Sequence, residues 1–286
     1  MTKLNEKAIL VHLQVSMWTG AKKDSRVTGE TCDRYGAESD AGSWWTYFLP
    51  PKDVAELRAA SSRLRNEFKR GTQPWMDKGT RIIPSMDFMT YAARMRKAQD
   101  DYNNVVNVFL KERYPAIVSA LPERLKTLLD GRQMPKASEI RSKYGVKMHV
   151  FPVPNVEDFR VNLGKEEEEE IRAQVTNSIQ EMSNRAMNSV WTQFLNVVEK
   201  LESTLKNPDR KFHDSLVGNL IDMCIQLKTN NLIDDENLES MRQEAIKTLC
   251  RPYGSNVEAL KKDKTVRKEA AKSARELIEK MKGYMG

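Results

Sequence analysis

From residue 165 to Asn207 the chain has neither proline nor glycine, and it opens this stretch with five consecutive glutamates, 166–170. Pro and Gly end or bend helices, so a breaker-free segment of this length predicts a single helix of about forty residues. Acidic side chains in its first turns complement the positive end of the helix dipole, which accounts for the glutamate run. The apolar stripe reads Ile171, Val175, Ile179, Met182, Ala186, Val190, Phe194, Val197, Leu201 and Leu205. Its mean step is about 3.8 residues, not the 3.5 of a heptad, which predicts a helical bundle over a long left-handed coiled coil. A helix this long exceeds what one small domain needs to cover it. Part of the stripe is therefore expected to bury against a second copy, with Trp191, Phe194 and Leu201 as the self-association residues.

The rest of the C-terminal half continues the pattern. Asn207-Pro208-Asp209 turns the chain into a helix with Phe212, Leu216, Leu220, Met223 and Leu227 inward. A second helix follows from about Asp235 to Cys250, and a basic one from about Thr265 to Lys282. Residues 164–286 thus read as an all-helical bundle.

Residues 1–163 read as a mixed α/β region. Alternation from Ala8 to Trp18 predicts a strand. Residues 19–43, with Gly20, Gly29, Gly36 and Gly42, predict a long surface loop or irregular hairpin. Trp44, Trp45, Tyr47 and Phe48 form an aromatic knot closed by Pro50-Pro51, and Asp53 is placed to cap a helix striped by Val54, Leu57, Ser61, Leu64 and Phe68. A long helix is expected from Ser85 to Tyr114, interrupted at Pro115 and again at Pro122 so that two or three short helices follow. Strands are expected near 80–84 and 146–152. The fold class is predominantly helical α+β: a small N-terminal sheet packed by helices, then the long-helix C-terminal bundle.

The function classes are narrowed by absences in the sequence. No run approaches the roughly 18–20 apolar residues of a membrane span, and Met1 to Lys7 has no leader pattern, so a cytoplasmic protein without membrane contact is expected. Cys32, Cys224 and Cys250 are too few and too dispersed for a disulfide framework. There is no P-loop, dinucleotide, zincin, hydrolase-elbow or EF-hand motif, so no catalytic residue, metal or cofactor is assigned. His12, His149 and His213 are widely spaced and read as structural. Asp100-Asp101 with Glu112, and Asp234-Asp235-Glu236, are carboxylate groupings that read as solvated faces or caps.

The charge pattern carries more information. Lys and Arg number 47 against 40 Asp and Glu, a formal net charge of +7. Around Arg58, Arg63, Arg65, Lys69 and Arg70 a single Glu67 opposes five cations, and from Val257 to Gly286 nine cations meet five acids. Arg58, Arg65 and Lys69, with Lys268, Lys272 and Arg275, are the candidate contacts for nucleic acid or an acidic partner, although interspersed acids make a solvated helix face the plainer reading. Trp18, Trp44, Trp45, Trp75, Tyr47 and Phe48 are expected to pack between sheet and helices, with base stacking as the alternative.

Three ordered segments carry a resemblance: Met17-Trp18-Thr19-Gly20 with Lys22-Lys23; Thr72-Gln73-Pro74-Trp75 with Gly79-Thr80-Arg81-Ile82-Ile83-Pro84; and Pro152-Val153-Pro154 with Asp158-Phe159-Arg160-Val161. Together they resemble the phage-associated family known as domain of unknown function 3150, over most of the chain. That resemblance implies no assigned activity and no functional residue. It implies gene neighbourhoods containing a MoxR-type AAA+ ATPase, hence a non-enzymatic accessory protein that self-assembles or acts as an adaptor for such an ATPase. A nucleic-acid-binding accessory protein using the basic helix faces is the alternative.

Overall fold

A computed structural model describes residues 4–76, 79–129, 133–155, 165–207, 210–254 and 256–285. In chain order the elements are α1 (Leu4–Lys7), β1 (Ala8–Ser16), β2 (Ala21–Lys23), α2 (Ser25–Tyr35), β3 (Trp45–Tyr47), α3 (Ala55–Lys69), β4 (Gln73–Pro74) and β5 (Thr80–Pro84). There follow α4 (Phe88–Val108), α5 (Tyr114–Leu125), α6 (Ala137–Arg141), β6 (Gly145–Pro152), α7 (Lys165–Lys206) and α8 (Ser215–Asn230). The chain ends with α9 (Glu236–Ala245), α10 (Arg251–Gly254), α11 (Val257–Lys262) and α12 (Lys264–Met285). The fold is predominantly helical α+β with one small sheet in the order β4-β5-β1-β6, β5 antiparallel to both β1 and β4, and a separate β2-β3 ribbon.

The chain divides into two compact units. Unit 1 comprises Met1–His12, Gly71–Tyr91 and Val150–Gly286, and unit 2 comprises Leu13–Arg70 and Ala92–His149. The first strand and the β4–β5 hairpin give their apolar side chains to the helical core of unit 1, so this division is discontinuous in sequence, unlike the boundary expected between residues 163 and 164. Leu10, Trp75 and Ile82 lie in one buried cluster with Val190, Phe194, Val198, Leu201 and Leu205 of α7. Gln193 Nε2 donates to Gln73 Oε1 at 2.8 Å.

Around α7 the core is completed by Leu220 and Leu227 of α8, Leu238 and Met241 of α9, and Ala270, Ala274, Leu277 and Met281 of α12. The two small alanines on α12 let its backbone approach a neighbour closely, and each fully buried large apolar side chain contributes roughly 1.5–3 kcal/mol. The predicted stripe on α7 holds from Ala186 onward, with Val198 in place of Val197 at full burial, whereas Ile171 and Val175 are only half-buried. Arg267 on α12 closes the far end of α7: its guanidinium donates to the carbonyls of Thr204, Leu205, Asn207 and Arg210 at 2.7–3.0 Å, satisfying acceptors that a helix C-terminus leaves unpaired.

In unit 2, α3 buries Leu57, Ser61, Leu64 and Phe68, as its spacing predicts, together with Ala60, but Asp53 makes no side-chain cap; the N-cap position is Val54. Residues 19–43 are not the expected loop. Asp24 caps α2 by accepting from Val27 N–H, Gly36 closes it with a φ of 60°, and Thr28 and Cys32 supply its thin buried stripe. Nor does Pro115 break the chain. A π-turn at Phe109–Arg113 carries α4 into α5, where Pro115 takes a first-turn position that needs no N–H, and Pro122 sits inside α5. The turn expected at Pro208-Asp209 and the Asp158–Val161 segment lie outside the described residues.

Candidate nucleic-acid interface

Charge is distributed unequally between the units. Unit 2 holds 22 Lys and Arg against 14 Asp and Glu, a net of +8, and unit 1 holds 25 against 26, a net of −1. All of the chain's positive excess therefore belongs to unit 2.

This partition separates the two nominated basic helices. On α12, Lys268, Lys272 and Arg275 are exposed, but Lys272 lies 3.9 Å from Glu276 and Arg275 3.2 Å from Glu279 along the same helix. Further along, Lys280 pairs with Glu244 at 2.6 Å and Lys282 with Glu199 at 2.8 Å, while Arg267 is committed to carbonyls. The basic character of this segment is thus largely spent within the bundle.

On α3, Arg58, Arg65 and Lys69 are exposed and follow one another at steps of seven and four residues, which aligns them on one stripe. Arg65 is close enough to Tyr102 to oppose the upward push that burial gives its hydroxyl, as does Arg141. A different stripe of α3, Arg63, Glu67 and Arg70, borders a groove of about 360 Å³ against Arg94, Lys97 and Asp101 of α4. Glu67 takes Arg94 at 2.5 Å and Arg70 at 3.8 Å. Arg94 and Lys97 were not singled out from sequence; their spacing on α4 opposite the 63/67/70 stripe is visible only once the two helices are paired.

The aromatic segment departs most from expectation. Trp75 and Phe48 are packed, at 1% and 6% exposure, but Trp44, Trp45 and Tyr47 are 45%, 50% and 45% exposed. Trp45 and Tyr47 stand on the β2–β3 ribbon in the register Ala21↔Tyr47, Lys22↔Thr46 and Lys23↔Trp45, with Trp44 immediately before β3. Side chains on a ribbon alternate in face, so Lys23, Trp45 and Tyr47 share one. The ribbon is held rigidly. Asp24 N–H donates to Trp44 O at 2.9 Å, Trp44 N–H to Thr28 Oγ1 at 2.9 Å, and Thr28 Oγ1 to Asp24 O at 2.7 Å. From α5, Arg124 donates to the carbonyls of Tyr47 and Phe48. Beside the ribbon, Trp18, Ala21, Lys22, Phe48, Met134 and Pro135 line a basin of about 510 Å³, with Lys143 Nζ 5.4 Å above the Trp18 ring.

The residues nominated for self-association are interior. Trp191, Phe194 and Leu201 are 5%, 0% and 2% exposed, already covered within unit 1 by the chain's own helices, so they supply no surface. Of the carboxylates grouped in the sequence, Asp234 takes Lys7 at 2.5 Å and Asp235 caps α9. His12 Nδ1 lies 3.3 Å from Thr80 Oγ1, and all three cysteines are buried. Among the described residues no group of three or more His, Cys, Asp or Glu is placed to hold a metal, and no helix is long and apolar enough to cross a membrane.

Comparison with protein-family models, curated proteins and solved structures yields no match to this chain.

Proposed function

We propose that this chain is a nucleic-acid-binding accessory protein whose unit 2 supplies the binding surface and whose unit 1 is a structural bundle. The observation that carries this reading is the partition of charge, +8 in unit 2 against −1 in unit 1. A polyanion is attracted by the summed field of a domain, and neutralising its phosphates releases condensed counterions. The exposed stripe of Arg58, Arg65 and Lys69 supports the reading, because Lys and Arg side chains that reach solvent are what meet phosphates in sequence-independent binding. Self-assembly, the other expected role, loses the side chains that carried it, since Trp191, Phe194 and Leu201 are interior.

The test is fluorescence anisotropy of a labelled oligonucleotide titrated with the full chain over a series of salt concentrations. Binding is expected to weaken steeply as salt rises, with a log–log slope that falls by about 2 in the Arg58→Glu plus Arg65→Glu variant. Absence of binding at low salt, or a slope near zero, overturns the proposal.

A further inference from the structure

We infer that the β2–β3 ribbon is a stacking platform for single-stranded nucleic acid, an inference that rests on the nucleic-acid reading and narrows it to unpaired strands. A chain that buries Trp75 and Phe48 almost completely nevertheless leaves Trp44, Trp45 and Tyr47 about half exposed within four residues. Asp24, Thr28 and Arg124 fasten the backbone that carries these rings. Rigid, amphipathic rings held out on a fixed ribbon lose little conformational entropy when a ligand stacks on them.

Spacing selects the strand state. Trp45 and Tyr47 are two residues apart on one face, hence separated by about 6.8 Å along the ribbon. That is twice the roughly 3.4 Å rise between stacked bases, so consecutive bases reach both rings only after they have come apart from each other. A duplex keeps its bases paired and inward, whereas a single strand offers each base's π-face to an aromatic platform.

Charge around the ribbon is mixed, and this shapes what the platform does. Lys23 stands beside Trp45, and Lys22 borders the Trp18 basin over which Lys143 lies. Residues 21–44, which include β2 and lead to β3, hold four cations against five acids and so carry no positive excess. Stacking is therefore the local contribution, and the phosphates are neutralised by cations elsewhere in unit 2. Removing the rings lowers affinity without changing its salt dependence, the opposite signature to reversing charges on α3.

The experiment compares an unstructured pyrimidine DNA oligonucleotide, its RNA counterpart and a duplex of the same length, with the full chain and with Trp45→Ala plus Tyr47→Ala. The unaltered protein is expected to prefer the single strands by about tenfold or more. The double variant is expected to lose that preference while its duplex affinity and salt slope stay as they were, and Trp45→Phe to keep most of the single-strand affinity. A difference between the DNA and RNA arms identifies which strand the surface takes. Equal affinity for duplex and single strand, or no loss in the double variant, overturns the inference but leaves the broader reading standing; no binding of any probe overturns both. Should the double variant fail to fold, acrylamide quenching of the unaltered protein decides. Trp75 and Trp191 are buried and Trp18 is half-buried, so quenching reports mainly Trp44 and Trp45, and bound single strand is expected to protect them. Unchanged quenching overturns the inference.

Discussion

Trp191 donates its indole N–H to Asp235 Oδ2 at 2.9 Å, while the other oxygen of the same carboxylate accepts from the backbone N–H groups of Asn237 and Leu238 at 2.9 and 3.1 Å. One side chain thus caps α9 and satisfies the polar edge of a tryptophan on α7. Asp235→Ala removes a cap worth about 1 kcal/mol and leaves a part-buried indole N–H unpaired, at a further cost of about 1–3 kcal/mol. A loss of roughly 2–4 kcal/mol in urea unfolding is expected, with a smaller loss for Asp235→Asn, which keeps an oxygen for the cap. Solution mass by light scattering is expected to be the same for both variants and the unaltered protein, because Trp191 is an interior side chain.

Gly20 precedes the aromatic ribbon at a φ of 61°, and a Cβ built there would stand 2.3 Å from Leu49 Cγ. Leu49 is 1% exposed and has no room to withdraw, and Phe48 N–H donates to Gly20 O at 2.7 Å, so the close approach is fixed by backbone pairing. Gly20→Ala combines left-handed strain of about 1–2 kcal/mol with overpacking of about 1–3 kcal/mol. The expected result is a destabilisation of roughly 2–5 kcal/mol, read by denaturant unfolding of unit 2. Wild-type stability in this variant would show that the Gly20–Leu49 contact is not maintained in solution.

Much of unit 1 was legible because a single strong signal, the 3.6-residue period, decides it. The α7 stripe from Ala186 to Leu205 and the α12 face from Ala270 to Met281 are buried as spacing indicates. Prolines misled for a local reason. Pro115 and Pro252 each follow a π-turn, Phe109–Arg113 and Ile246–Cys250, whose wider register leads the helical path into the proline, so a residue that ordinarily ends a helix lies within one. Helix α2 escaped notice because its buried side is only Thr28 and Cys32, too thin to show a period; its signals were the caps, Asp24 and Gly36. The ribbon aromatics could not be placed by composition at all. Whether an indole packs or faces water depends on what lies across the ribbon, and Lys23 opposite Trp45 is a pairing that only the fold creates.

Neutralising equal charge on the two nominated helices separates them without altering net charge between variants. Lys268→Gln, Lys272→Gln and Arg275→Gln on α12 are expected to leave oligonucleotide affinity within about twofold, since unit 1 carries no positive excess and screening at 0.1 M salt acts over about 10 Å. Arg58→Gln, Arg65→Gln and Lys69→Gln on α3 are expected to reduce the salt slope by about 2–3. Equal losses from both sets, measured by anisotropy, would mean that the whole chain and not unit 2 is the polyelectrolyte partner.

Glu239 gives unit 1 a contribution to stability that varies with pH. Arg242 holds this carboxylate through two donors, Nη2 at 2.6 Å and Nε at 2.7 Å, and Gln243 adds a third at 2.8 Å. The Arg242 guanidinium is the largest cause of its lowered pKa, about 2 against an ordinary value near 4.5. A carboxylate whose pKa is lower in the folded state stabilises the fold fully above its unfolded pKa and loses that contribution as pH falls through its folded one. The window is therefore pH 4.5 down to about 2. The Glu239 side chain is 43% exposed, so solvent screens the pair and its contribution is modest. Urea midpoints measured across this window are expected to fall more steeply for the unaltered protein than for Glu239→Gln, whose neutral amide has no such proton to bind. The two are expected to differ by a constant amount above pH 4.5 and to converge toward pH 2, with the difference shrinking in high salt. Parallel curves throughout would mean that the Glu239–Arg242 pair forms without contributing to stability, leaving the 3.5 Å contact from Arg242 to Cys224 O as the tie between α9 and α8.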